Sequence, residues 1–264
     1  MQLPDELKDK IDMRDVTRPQ MGYSDAEVFE VKKGYLNKDI VIKCSASLDI
    51  EKEAQILIWL QDKMKVPHVY FHLFDQGMYY LVMEMLPGVM GQYGFEQMSR
   101  DEMVILYAKE IKKWHQIDYQ DFPVYNTLED KLKHVRYNLK HNLIKTQYFE
   151  REFKGMSGQE VYDLMMAHYP KDFDLVLCHG DVCMPNFMIK DKEVTGWIDV
   201  VGCGVNDRYL DIAIALRTLR FNFEWRHETF TAADMQLFLK TYGIASLDPD
   251  KVLFYICLDE LTNG

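Results

Sequence analysis

The 264-residue chain is short of positive charge: 31 Lys and Arg stand against 42 Asp and Glu, a formal net charge of −11. An acidic surface repels phosphate backbones, so no nucleic acid is expected as a partner, whereas a cationic small molecule suits it. Long apolar runs are missing too. The best, residues 55–60 and 79–86, fall far short of the ~18–20 residues that a membrane span needs, so no membrane association is expected. The first residues, MQLPDELKDK, are charged and without an apolar stretch, so no secretory signal is visible. Five cysteines, Cys44, Cys178, Cys183, Cys203 and Cys257, are scattered and form no CxxC pair. That excludes a disulfide framework or zinc knuckle and points to a reducing compartment. No Walker A loop, GxSxG elbow or HExxH helix is present, which removes support for those enzyme classes. Internal repeats and low-complexity segments are absent as well. What is there is a chain 48% hydrophobic and 13% aromatic, enough for a substantial core in one large domain or two modest ones. The expectation is a soluble, cytoplasmic, globular protein.

The first third carries strand signals. Residues 26–32 and 38–44 are rich in Val and Ile and are separated by the turn-prone Gly34 and Asn37. Apolar residues at helical spacing then predict a helix over 49–64, and residues 69–74 and 78–85 read as a strand pair around Gln76-Gly77. Pro87-Gly88 breaks the chain. Beyond it, helical periods dominate at 100–115, 128–143, 159–166, 210–221, 232–242 and 251–261. They are interrupted by short strands at 176–177, 187–189 and 194–198 that frame polar loops. A β-rich third joined to a helical remainder predicts two lobes with a cleft, a common ligand site.

The densest polar stretch is Cys178-His179-Gly180-Asp181-Val182-Cys183-Met184-Pro185-Asn186, followed by Asp199 at a strand end. Carboxylates and an amide gathered in loops suit Mg²⁺, a hard cation preferring oxygen, and a nearby carboxylate can orient or deprotonate a hydroxyl. The same residues also suit plain Asx turns. Lys43 ends an apolar strand, and Glu53 lies on the buried stripe of the next helix, between Ile50 and Leu57. A buried carboxylate needs a partner, and a Lys43–Glu53 pair would be placed to hold a phosphate; a surface lysine and a solvated glutamate are the alternative. Gly22-Tyr23-Ser24 precedes the first strand and offers backbone N–H groups, or simply a turn. His115 reads as structural, at a helix C-terminus. Asp211 precedes an apolar run, so its carboxylate must find buried donors, for which the N–H groups of the polar loop are candidates.

Together HGDVCMPN (179–186), WID (197–199) and NDRYLDIA (206–213) closely resemble the aminoglycoside phosphotransferases, especially the 3′-kinases. The likeness extends along the chain. GYSDAEVFEV resembles the nucleotide-binding loop, IVIK the lysine strand and EKEAQILIWL the glutamate helix; YLVMEMLPG resembles the hinge and YICLDEL the acidic C-terminal helix. The resemblance implies an α+β, protein-kinase-like two-lobe fold, with a β-rich nucleotide-binding N-lobe over 1–86 and a mainly helical catalytic and substrate-binding C-lobe over 87–264. It implies a Mg²⁺-dependent kinase that moves the γ-phosphoryl group of a nucleoside triphosphate, ATP or GTP, to a hydroxyl of a cationic aminoglycoside. By the same resemblance Asp181 is the catalytic base or orienting group, and Asn186 and Asp199 are the metal ligands. Ser24, Lys43, Glu53, Glu84 and Leu86 handle the nucleotide; Glu150, Glu152, Asp259 and Glu260 face the substrate.

The chain departs from the family in three places. Asp199 is followed by Val200-Val201-Gly202 where x-Gly-Arg is usual. Phe221 and Asn222 stand where the resistance enzymes tend to place acids. Leu261-Thr262-Asn263-Gly264 replaces a terminal aromatic pair. These departures leave two alternatives, a kinase of another cationic amino alcohol or amino sugar, and a catalytically silent kinase-like binding module.

Overall fold

The computed structural model describes residues 3–18 and 26–262, so Ser24 and its loop lie outside the described residues. The chain divides into two units, Met1–Met90 with Phe187–Val201, and Gly91–Asn186 with Gly202–Gly264.

The first unit starts with a single helical turn, α1 (Asp5–Lys8), then β1 (Val16–Thr17), β2 (Glu27–Tyr35), β3 (Lys38–Ser45), α2 (Asp49–Leu60), β4 (Val69–Asp75), β5 (Met78–Glu84) and β6 (Val89–Met90). The first five strands form an antiparallel sheet in the order β1-β2-β3-β5-β4. Alternation along β3 sets its two faces. Ile40, Ile42 and Cys44 are buried with Leu3, Leu7 and Ile11 of the α1 segment. Lys43 takes the other face, where α2 presents the buried Glu53 between Ile50 and Leu57.

The second unit begins with a 3-10 turn (Gly91–Glu96) and continues through α3 (Arg100–Trp114), α4 (Leu128–Lys140), α5 (Gly158–Ala167) and β7 (Leu175–Cys178). The chain then returns to the first unit as β8 (Phe187–Lys190) and β9 (Glu193–Trp197). It ends in the second with β10 (Gly204–Asp207), α6 (Tyr209–Trp225), α7 (Ala232–Tyr242) and α8 (Pro249–Thr262). Capping boxes open four of these helices: Ser99/Glu102 at α3, Thr127/Asp130 at α4, Ser157/Glu160 at α5 and Thr231/Asp234 at α7. Trp114, Tyr107, Phe223, Phe238, Phe254 and Tyr255 are fully buried here.

This division differs from a single cut after residue 86. β8 pairs with both β6 and β9, and the Trp197 N–H donates to the Lys65 carbonyl at 2.9 Å, so backbone bonds knit 187–201 to the first unit. Gly88, at φ +112°, permits the approach, since a Cβ there would sit 2.2 Å from the Ile189 carbonyl oxygen.

Candidate active site

In the first unit, strand β3 delivers Lys43 and helix α2 delivers Glu53. Lys43 Nζ lies 2.6 Å from Glu53 Oε1 and 3.7 Å from Asp199 Oδ1. Burial pulls the Lys43 ammonium down, but the two carboxylates outweigh it and hold the group above its ordinary value. Burial also pushes the Glu53 carboxyl up, with Lys43 opposing. Asp199 follows β9 in the left-handed region, at φ +58°, which aspartate tolerates better than most residues, and its side chain is 43% exposed. Glu84 ends β5, where its side chain accepts from the His68 N–H. The backbone of Leu86, just past the strand, makes no hydrogen bond among the described residues. Its side chain packs over Gly196 of β9, where a Cβ would fall 2.6 Å from it.

In the second unit, Asp181 sits in the loop after β7. Asp211 of α6, wholly buried, organises that loop: Oδ2 accepts the His179 N–H at 2.8 Å and Oδ1 the Gly180 N–H at 2.9 Å. His115 Nε2 lies 3.1 Å from Asp211 Oδ2, and its Nδ1 lies 2.6 Å from the Tyr242 hydroxyl. Burial works to raise the Asp211 carboxyl, yet His115, His179 and the Gly180 N–H hold it below the usual range. The Tyr107 hydroxyl donates to the Val182 carbonyl, and the Met184 N–H reaches Thr218 Oγ1 on α6 at 3.5 Å. The loop is thereby fixed at both ends. Asp181 Oδ1 accepts the Cys183 N–H at 3.2 Å, and Oδ2 accepts from Asn186 Nδ2 at 2.8 Å. The Asx turn is therefore real, and it aims the carboxylate rather than using it up. With Asn186 Nδ2 spent on Asp181, its amide oxygen takes no hydrogen bond among the described residues.

Gly180, at φ +88°, packs directly on Gly202; a Cβ would lie 2.1 Å from the Gly202 carbonyl oxygen. Asn126 secures that oxygen from the other side, its Nδ2 donating at 2.8 Å, while Asn206 Nδ2 donates to the Asn126 carbonyl at 2.9 Å.

The four acids read as substrate-facing come together in the second unit, around two arginines of α6 to which no sequence motif assigns a role. Arg217 pairs with Asp259 and lies 3.3 Å from both Glu150 and Glu260; Arg220 pairs with Glu152 and lies 3.3 Å from Glu150. Glu260, expected to face a ligand, is instead buried, and its second oxygen accepts the Glu150 N–H at 3.3 Å. Burial pushes its carboxyl up to about 7 against the pull of Arg217, and raises Asp259 and Glu150 as well. The signal for this cluster was two arginines one helical turn apart in Arg217-Thr218-Leu219-Arg220. Their partners lie 42 to 70 residues away along the chain, beyond the reach of local pattern.

Residues 15–251 match the profile of the phosphotransferase enzyme family. An aminoglycoside 3′-phosphotransferase of Niallia circulans is 34% identical over 260 residues, which cover 97% of this chain and 96% of that protein. The solved aminoglycoside-3′-phosphotransferase of type VIII superposes with a TM-score of 0.82 at 26% identity, over 97% of this chain and 96% of that one. An aminoglycoside phosphotransferase of Streptomyces rimosus, solved with ADP and streptomycin, shares the fold at a TM-score of 0.72 and 22% identity, covering 89% and 90% of the two chains. The α+β, protein-kinase-like fold that the resemblance implied is the fold observed. Matched over almost its whole length, the chain belongs to the phosphotransferase enzyme family and is a kinase that acts on a hydroxyl group.

Proposed function

We propose that this kinase transfers the γ-phosphoryl group of ATP or GTP to the 3′-hydroxyl of an aminoglycoside antibiotic, and so acts in resistance. The observation that carries the reading is the Asp181 carboxylate. It is held by the Cys183 N–H and the Asn186 amide in a loop anchored on Asp211, in a chain 34% identical to a 3′-phosphotransferase.

Phosphoryl transfer needs positioning and charge neutralisation more than covalent chemistry. Asp181 aligns the acceptor hydroxyl and accepts its proton. Lys43, kept charged and in place by Glu53, binds nucleotide phosphates, a task that the family resemblance also gives to Ser24. Glu84 and the open backbone of Leu86 take the purine edge. The Asn186 amide oxygen and the Asp199 carboxylate are hard oxygen donors and suit Mg²⁺; the ion, when bound, neutralises charge on the transferring group. Glu150, Glu152, Asp259 and Glu260 act with Arg217 and Arg220 as one ionic group on the acceptor side.

One observation favours a second reading, a kinase of a less charged amine such as an amino alcohol: both arginines already neutralise part of the acidic cluster. Nucleotide consumption measured with kanamycin and with a panel of amino alcohols separates the two. Kanamycin-dependent consumption is expected. Consumption driven only by amino alcohols would replace the first reading with the second.

A further inference from the structure

Helix α6 carries two large aromatic side chains that the rest of the described chain leaves uncovered. Phe221 is 62% exposed and Trp225 59%, and among the described residues neither ring makes an aromatic or cation–π contact. Single exposed aromatics are commonplace. These two belong to a line. Arg217, Phe221 and Trp225 are spaced i, i+4 and i+8, so they share one stripe of the helix.

The inner end of that stripe is fixed by contacts already described. Arg217 holds Asp259, Glu150 and Glu260. Its neighbour Thr218 receives the Met184 N–H from the Asp181 loop. The stripe thus starts beside that loop and leads away from it by about 6 Å for each four residues, a step comparable to one sugar ring. Arg220, adjoining Phe221, binds Glu150 and Glu152, which sets the segment containing Arg151–Phe153 along its flank.

Charge narrows the occupant. Glu150, Glu152, Asp259 and Glu260 against Arg217 and Arg220 leave an excess of at most two negative charges, too little to pair every ammonium of a polycation. Contact beyond the second ammonium must come from other surface, and aromatic rings supply it. Their faces accept the C–H face of a sugar ring and attract an ammonium placed above them.

We infer that Phe221 and Trp225 form a stacking subsite for an amino-sugar ring of the acceptor, the ring farthest from the hydroxyl that is phosphorylated. The inference rests on the aminoglycoside reading above. Phe221 is then a specificity-determining residue, and it favours acceptors long enough to reach it.

The test compares kanamycin, with three rings, and neamine, with two. Trp225 is a built-in reporter as the most exposed of the four tryptophans: Trp114 and Trp197 are fully buried and Trp59, on α2 of the first unit, is half-buried. Kanamycin should change the tryptophan fluorescence of the wild type, and Trp225→Phe should remove that change. Phe221→Ala should raise KM for kanamycin about three- to tenfold more than KM for neamine, with the loss in KM rather than in kcat. Equal effects of Phe221→Ala on both acceptors, or no effect on kanamycin, would overturn the subsite while leaving the aminoglycoside reading intact. A wild type that phosphorylates neither compound would instead overturn that reading, and the subsite with it.

Discussion

Asp181 owes its orientation to two hydrogen bonds, and Asp211 owes its place to three partners, so single substitutions at this site should separate chemistry from stability. Asp181→Ala should lower turnover by at least about 10²–10⁴-fold while nucleotide binding, followed by calorimetry, stays close to wild type. Near-normal turnover would remove Asp181 from the chemistry. Gly180→Ala is a different kind of change: a left-handed residue gains a Cβ against the Gly202 carbonyl, so stability as well as rate should fall. At this scale much was legible. The apolar run after Asp211 marks it as a buried carboxylate in need of donors, and the His179 and Gly180 N–H groups are among those donors. His115 reads as structural and is structural, though its role is to join Asp211 to Tyr242 rather than to complement a helix end. Arg217 was not legible, because a cation's importance is set by the acids it meets in space.

Helix α6 is the element on which the second unit's site is assembled: Asp211 orders one end of the Asp181 loop, Thr218 the other, and Arg217 gathers three acids. Removing Arg217 leaves the buried Glu260 and the half-buried Asp259 without their cation, while Glu150 keeps Arg220, and Arg217→Met should cost up to about 3–5 kcal/mol in denaturant unfolding. Adding Glu260→Gln should restore part of the loss; no restoration would mean that the two side chains are not coupled. The turn after Asp199 offers a test of rate. Gly202 has ordinary van der Waals room for a Cβ, with its nearest contacts at 3.5 Å, so Val201→Gly with Gly202→Arg can be built without a clash at that atom. If the missing Gly-Arg limits turnover, the double variant should be faster on kanamycin; an unchanged rate would show that the limit lies elsewhere. Helices and long strands were readable from their periods, as in 232–242, which is α7 without adjustment. The two-residue strands β1 and β6 are too short to carry a period. β10 begins with Gly204 and contains Asn206, poor strand formers, and exists because it pairs with β7.

At the scale of the whole molecule, the net charge of −11 should draw a polycationic acceptor, and the attraction should weaken with salt because exposed charges are screened over about 8–10 Å at moderate ionic strength. Acidity also shapes the dependence of stability on pH. The folded Glu260 carboxyl titrates at about 7, above the ordinary glutamate value near 4.3, so the folded chain binds more protons than the unfolded one between those limits. Stability from this group is therefore fully present at low pH and declines as pH rises through the window, by no more than about 1.4 kcal/mol per unit. Denaturant midpoints from pH 5 to 7.5 should fall in the wild type and flatten in Glu260→Gln; equal slopes would contradict the burial argument. The fold class was legible because three separated motifs fell in family order. The division into units was only partly so, since the return of 187–201 depends on backbone pairing that side-chain pattern does not encode. The proposed phosphorylation of an aminoglycoside through Asp181 can be read from its product. Its most direct test is ³¹P NMR of kanamycin incubated with Mg²⁺, ATP or GTP, and either wild type or Asp181→Ala. A phosphate ester at the 3′-position is expected with the wild type and none with the variant. An unmodified antibiotic after incubation with the wild type, or the same ester formed by Asp181→Ala, would contradict it.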